Sequence, residues 1–354
     1  MRVVVAPDKF AGTLSAVEVA GALAATVTSV GAAVEPVPMS DGGPGFVSVL
    51  HAALGGTLLP VLVDDPLERP VPAELLLVGA TAYIETAAAS GLHLLAADER
   101  DPERATSRGS GQLLTAALQA GATRLVVGLG GSATNDGGAG LLGALGLRWT
   151  GPWQEAVDVD ASALDPRLHA AEMVVASDVA APLLGLTGAS AVFGPQKGAS
   201  ASGVQRLDAA LGRWSAAVGL PASQPGAGAA GGMGAALLWL GGHREPGARL
   251  VAHVVGLPER IAAADLVVTG EGRYDATSLR GKVCAEVARL AQEAGVPCVV
   301  VAGQVEVGRR EAAAHGIDAT YALSELAGSV QAAMDHPREW LDRAAERLAR
   351  DWLR

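Results

Sequence analysis

Cysteine is nearly missing from this chain, with Cys284 and Cys298 alone in 354 residues. No CxxC and no His/Cys cluster at ligand spacing occurs, which leaves no disulfide framework and no zinc site and fits a reducing compartment. Positive charge is scarce too: 26 Lys and Arg against 37 Asp and Glu give a net charge of −11. Nucleic acid and anionic membrane select basic surfaces, so neither is an expected partner. An anionic small molecule in a locally basic cleft stays compatible with that balance. No uninterrupted apolar run approaches about 18 residues, so no membrane span is expected. The opening MRVVVAPD reads as a strand and not as a signal peptide, and a cytoplasmic location is expected. Also absent are a Walker A motif, GxxxxGK[ST], and the glycine-rich loop and catalytic-loop signature of protein kinases.

What the chain has is Ala, Leu, Val and Gly: half of it is hydrophobic, with only 3% aromatic. That mixture suits helices packed on buried parallel strands. Short β-branched runs alternate with longer segments of helical period. The expected strands are Arg2 to Pro7, Val34 to Met39, Arg124 to Gly130, Glu172 to Ser177, Asp265 to Thr269, Cys298 to Ala302 and Ala319 to Ala322. Residues 56–90 break the rhythm as consecutive strands with Pro turns, and residues 181–257 hold a Gly/Ala-rich tract and two long helical patterns. The expected fold is α/β in two domains. A Rossmann/flavodoxin-like parallel-sheet domain (1–55, 91–180 and 258–354) would carry an inserted mixed α/β domain (56–90 and 181–257), with the active site in a cleft between them. The tail, HPREWLDRAAERLARDWLR, is expected to close the fold as an amphipathic helix.

In open α/β sheets ligands bind beyond the carboxyl ends of the strands, so the loops there carry the chemistry. LVVGLGGSATNDGGAG, residues 125–140, places Gly130, Gly131, Ser132, Asn135 and Asp136 after a buried strand. Strand, glycine turn and helix bring backbone amides close to phosphate oxygens; close helix packing is the competing explanation for the glycines. The match to G-x-G-x-x-A lacks the acidic residue that a dinucleotide site requires about 20 positions on. Asp8 and Lys9 stand at the end of the first strand, ahead of a helix whose Ser15 and Glu18 have capping-box spacing. Asp41 and Asp178 end two further strands, where carboxylates hold Mg²⁺ or accept a hydroxyl proton. Their strands are expected to be neighbours. Lys197 sits in GPQKG, where a lysine can meet a transferring phosphoryl group. TGEGRYDATSLRGK gathers Glu271, Arg273, Asp275, Arg280 and Lys282, either as a site for an anion or as a solvated ion-pair patch. Glycine loops, strand-end carboxylates and scattered cations are the parts that phosphoryl transfer needs. The residues alone therefore point to a small-molecule kinase.

APDKFAGTLSA, SDGGPG, ETAAASGL, GLGGSATNDGGAG, SDV with PLLG, GASAVFGPQKGA, PGAGAAGGMGAAL and TGEGRYD with GK run in order from about residue 5 to residue 303. Together they resemble the bacterial glycerate kinase family, the type unrelated to P-loop kinases. The resemblance implies ATP-dependent, Mg²⁺-assisted phosphorylation of D-glycerate, usually at the 2-hydroxyl, on two α/β domains. On that basis Asp178, Asp41, Lys197 and Arg273 are the expected catalytic residues, with Asp178 also the metal ligand. Gly130, Gly131, Ser132, Asn135 and Asp136 would bind the nucleotide, and Asp8, Lys9, Glu271, Asp275 and Lys282 the substrate. A homodimer is the assembly considered. The chain departs from the family pattern where Ala11 replaces a lysine, Pro44 a glutamate, Ala181 an asparagine, Thr277 and Ser278 a Gln-Thr pair, and Cys284 a proline. Lost polar groups bear on substrate more than on fold, because polar contacts set discrimination between small hydroxy acids. A kinase for a related hydroxy acid and a non-catalytic ligand-binding relative are the alternatives.

Overall fold

The computed structural model describes residues 1–279 and 281–353. Its strands, in chain order, are β1 (Arg2–Val5), β2 (Ala33–Pro36), β3 (Thr57–Asp64), β4 (Pro70–Val78), β5 (Thr81–Glu85), β6 (Arg124–Gly128), β7 (Arg148–Trp149), β8 (Val159–Asp160), β9 (Glu172–Ala176), β10 (His243–Glu245), β11 (Leu266–Tyr274), β12 (Cys298–Val305) and β13 (Ala319–Ala322). All seven expected strands form. The second ends early, at Pro36. Pro38 has no N–H to give, yet Val37 and Met39 still donate to the carbonyls of Val5 and Pro7.

The first compact unit comprises Met1–Asp41, Ser48–Ala53 and the chain from Ala248 onward. Its sheet is parallel throughout, in the order β13-β12-β11-β1-β2. Counted within the unit this is 2-1-3-4-5, the flavodoxin-like doubly wound order. Its inner strands are apolar at successive positions because both faces are covered: Val3, Val4, Val267, Val268, Val299 and Val300 are fully buried. One face, with Val3, Val5, Val268, Val299 and Val301, packs on Leu23 of the helix Ala16–Ser29 and on Leu341 and Leu348 of the helix Pro337–Trp352. The first of these helices begins as expected. Ser15 Oγ accepts from the Glu18 N–H at 3.2 Å, and the Glu18 carboxylate accepts from the Ser15 N–H at 2.8 Å.

The second unit comprises Gly42–Val47 and Leu54–Gly247. It is built on a mixed sheet, β10-β9-β6-β5-β4-β3. Strands β3, β4 and β5 form an antiparallel meander, and β5, β6, β9 and β10 run parallel. Pro70 and Pro72 are tolerated in β4 because β5 pairs only with Leu76–Val78, so their missing N–H groups break no ladder on that side.

This division corrects the expected boundaries. Residues 91–180 belong with the insertion, because β6 pairs with β5 on one side and β9 on the other. The insertion also ends at Gly247 rather than near residue 257, and the helices Gly247–Val254 and Leu257–Ala262 fall mainly to the first unit. Asp41 and Asp178 therefore do not end neighbouring strands, since β2 and β9 lie in different sheets. The packing of the closing helix is testable: Leu348→Ala, at a site with no solvent exposure, is expected to cost about 3 kcal/mol. Urea unfolding followed by far-UV circular dichroism measures it.

Candidate active site

The site in the first unit grows from the pairing of β1 with β11. Register continues past the last residue of β1: the N–H groups of Ala6 and Asp8 donate to the carbonyls of Val268 and Gly270, at 2.7 and 2.8 Å. That pairing carries Asp8 to the level of Glu271, at the carboxyl ends of both strands. It is also the point where strand order reverses, the expected ligand position in a doubly wound sheet. A cavity of about 400 Å³ opens there, lined by Asp8, Lys9, Asp41 and Glu271 among others, and its size falls within the about 300–1,000 Å³ usual for small-molecule sites.

The charges in it are tightly spaced. Lys9 Nζ lies 3.4 Å from Asp8 Oδ1 and 3.6 Å from Asp41 Oδ1, and Asp8 Oδ1 also accepts the Lys9 N–H at 2.7 Å. Burial pushes the Asp8 carboxyl up to about 7 even though Lys9 opposes the shift, and the like charges of Asp41 and Glu271 add to it. Burial pulls the Lys9 ammonium down, but Asp41 and Asp8 together outweigh it and leave the pKa above the ordinary lysine value. Glu271 is raised as well, by burial, with the Ser278 hydroxyl and the Cys284 thiol acting against it. Its Oε1 is buried without a hydrogen-bond partner among the described residues.

The remaining expected residues of this segment divide. Arg273 lines the cavity but is exposed and ion-paired, 2.8 Å from Glu306 and 3.7 Å from Asp275. It is the solvated pair that the alternative reading anticipated. Asp275 accepts from the N–H and hydroxyl of Thr277, at 2.8 and 2.6 Å, and so shapes its own turn. Lys282 lines the cavity and donates to Thr277 Oγ1 at 3.3 Å. Arg280 lies outside the described residues. Among the cavity residues that went unread in the sequence are Gly303 and Gln304 at the end of β12. They stand just past the expected end of that strand at Ala302, and strand-end position alone would have nominated them.

In the second unit the glycine-rich loop is first a packing device. A Cβ on Gly130 would lie 2.7 Å from the Gly43 Cα, and one on Gly131, whose φ is +67°, would lie 2.9 Å from the Pro44 ring. Gly130 and Gly131 nevertheless keep solvent-accessible backbone. Asn135 and Asp136 do not, and Asp136 is fully engaged by neighbouring donors while Asn135 keeps a buried Oδ1 without a hydrogen-bond partner among the described residues. Asp136 is buried and accepts from the Ser107 N–H and hydroxyl and from the N–H groups of Gly138 and Gly140. Four donated bonds make it a scaffold carboxylate, although burial still raises its pKa. Asn135 Nδ2 donates to Ser190 Oγ at 2.9 Å. Lys197 is 2% exposed and donates to Ser132 Oγ at 3.0 Å and to the Thr134 carbonyl at 2.7 Å. It does not project into open space as a loop lysine would.

Asp178 is half-buried just past the end of β9. No group of three or more His, Cys, Asp or Glu side chains placed to hold a metal occurs among the described residues. Mg²⁺ is usually held by one or two carboxylates plus substrate phosphates, so a single strand-end aspartate fits its donor set. Of the departures noted in the sequence, Ala11 and Thr277 line the cavity, Cys284 is buried beside Glu271, and Ala181 contributes only its carbonyl, to the Gly228 N–H. No described helix is long and apolar enough to cross a membrane.

A family model described as the glycerate kinase family matches residues 3–353. Glycerate kinase of Bacillus subtilis (strain 168) is 40% identical over 370 aligned positions, which cover 99% of this chain and 97% of that protein. Glycerate 2-kinase of Escherichia coli (strain K12) gives the same identity and coverage. A crystal structure from Salmonella typhimurium LT2, assigned as a glycerate kinase 2, superposes with a TM-score of 0.80 at 38% identity over the whole of both chains. With buried carboxylates at the switch point of its parallel sheet and a match along nearly its full length, the chain belongs to the glycerate kinase family.

Proposed function

We propose that the protein transfers the γ-phosphoryl group of ATP to the 2-hydroxyl of D-glycerate, and that Asp8 is the general base. The observation that carries this reading is the cavity at the β1/β11 switch point, where Asp8, Lys9, Asp41 and Glu271 converge. A base works best when its pKa lies near the operating pH, and burial has brought Asp8 there. Lys9 sits against Asp8 and Asp41 and balances the charge that develops as a hydroxyl loses its proton. Lys282 meets the substrate carboxylate as a point charge. The buried Oε1 of Glu271 takes a hydroxyl hydrogen bond. The name of the Escherichia coli relative supports the 2-position as acceptor.

For the nucleotide, the accessible backbone at Gly130 and Gly131 is the phosphate-binding element, with Asp178 as the carboxylate for Mg²⁺. The metal supplies neutralisation of charge on the phosphate oxygens when bound. Ala11 and Thr277 at the cavity wall favour a second reading, a related hydroxy acid as substrate. A panel of C3 to C5 hydroxy acids with ATP consumption as readout separates the two. The two buried thiols, Cys284 and Cys298, fit action in the cytoplasm.

Four outcomes are expected. Asp8→Asn lowers kcat by about 10²-fold or more, with the change in KM for glycerate measured alongside; unchanged turnover removes Asp8 from the chemistry. The active base is the carboxylate, so kcat/KM rises about tenfold per pH unit below pH 7 and levels above it, where Asp8 has lost its proton. ³¹P and ¹³C NMR of the product finds phosphate on C2, and phosphate on C3 would overturn the regiochemistry. Asp178→Asn raises the Mg²⁺ concentration for half-maximal rate by about tenfold or more.

A further inference from the structure

The segment Gly188–Gly198 grips the glycine-rich loop through two separate ties. Lys197 reaches Ser132 Oγ and the Thr134 carbonyl, and Ser190 bonds the Asn135 amide. Both ends of this grip are stiff. Pro195 opens the turn that carries Lys197, and Gly198 closes it at φ +103°. Any Cβ at Gly198 would lie 2.3 Å from the Arg100 carbonyl oxygen, so the turn sits where only glycine fits. Lys197 thus leaves a fixed point and ends buried on the underside of the loop.

We propose that Lys197 is a positioning residue that sets the peptide planes of Ser132–Thr134, and that it does not touch the transferring phosphoryl group. This deepens the functional reading above and rests on its assignment of the loop to the nucleotide. The buried ammonium gives its protons to Ser132 and Thr134, and to meet a ligand it would have to abandon both. Burial lowers its pKa to about 7, with Asp136 opposing the shift. The tie survives that titration, because an ammonium has three N–H donors and a neutral amine still has two for the two acceptors. Asn135 and Ser190 hold the next residue by a neutral bond that no pH in the working range disturbs. Residues 132, 134 and 135 are therefore held by two side chains of one segment. Such loops carry function because a rigid scaffold holds them, and a displacement of about 1 Å can cost about 10²-fold in rate.

The test uses the full chain with Lys197→Met, which keeps the apolar stem and removes the donors. Peptide-resolved hydrogen exchange over residues 132–135 is expected to speed up by about tenfold or more. KM for ATP should rise by about tenfold, with KM for D-glycerate within about twofold and the shape of the pH profile unchanged. If kcat falls while loop exchange and KM for ATP stay as in the parent, Lys197 acts on the phosphoryl group and the proposal is overturned. If exchange speeds up and KM for glycerate rises instead, the positioning role stands and the nucleotide assignment fails. Should Lys197→Met not fold, Ser190→Ala removes the other tie, and about threefold faster exchange of the same residues is expected. Unchanged exchange in that variant overturns the grip.

Discussion

Taking the carboxyl group of Asp8 out of water at the end of a buried strand is the constraint around which the first unit is organised. Desolvation alone would neutralise the group, and Lys9, held between Asp8 and Asp41, is what keeps ionisation within reach of neutral pH. This arrangement works against stability. The folded state holds the Asp8 proton more tightly than the unfolded chain does, so the contribution of this group to folding is full below its ordinary pKa of 3.8 and is lost as pH rises through about 7. A protein selected for stability alone would expose that carboxylate. Keeping it buried and near neutrality suits a proton acceptor, and strain of this kind collects at functional sites.

Topology explains why the cluster forms where it does. Helices leave a doubly wound sheet in opposite directions on either side of the strand-order reversal, which opens a gap above β1 and β11. Because the β1–β11 ladder runs on through Asp8, the two strands deliver Asp8 and Glu271 to that gap together. The fully buried valines beneath anchor both strands in the core. Position in the site is thus set by core packing several residues away from any charge.

That dependence decides what could be read from the chain. Buried parallel strands are continuous apolar runs, so the inner ones announced themselves, and the residues just past them, Asp8, Lys9, Asp41 and Glu271, were legible one by one but not as a group, Asp41 being paired with Asp178 instead. Sheet membership was not legible: nothing in Arg124–Gly128 says that it pairs with Thr81–Glu85 and not with β1, so residues 91–180 went to the wrong unit. Burial of individual side chains was hidden too. Asp136 looks like a ligand in SATND, but four donors occupy it, and Asn135 is buried with its Nδ2 spent on Ser190. The glycines themselves were ambiguous for a physical reason, because close approach of another backbone and close approach of a phosphate both exclude Cβ.

Asp8 and Lys197 show how such ambiguity is settled. Burial brings each to about 7, from opposite directions, and a shifted pKa alone would nominate both as catalytic. What separates them is where their remaining hydrogen-bonding capacity faces. Asp8 lines a cavity beside the orphaned oxygen of Glu271, so its proton can be exchanged with a ligand. Lys197 spends its donors on a neighbouring loop, and its proton has no acceptor that reacts. On the proposed reading, the same desolvation makes a reagent where the polar atom meets an opening and a fastener where it meets backbone.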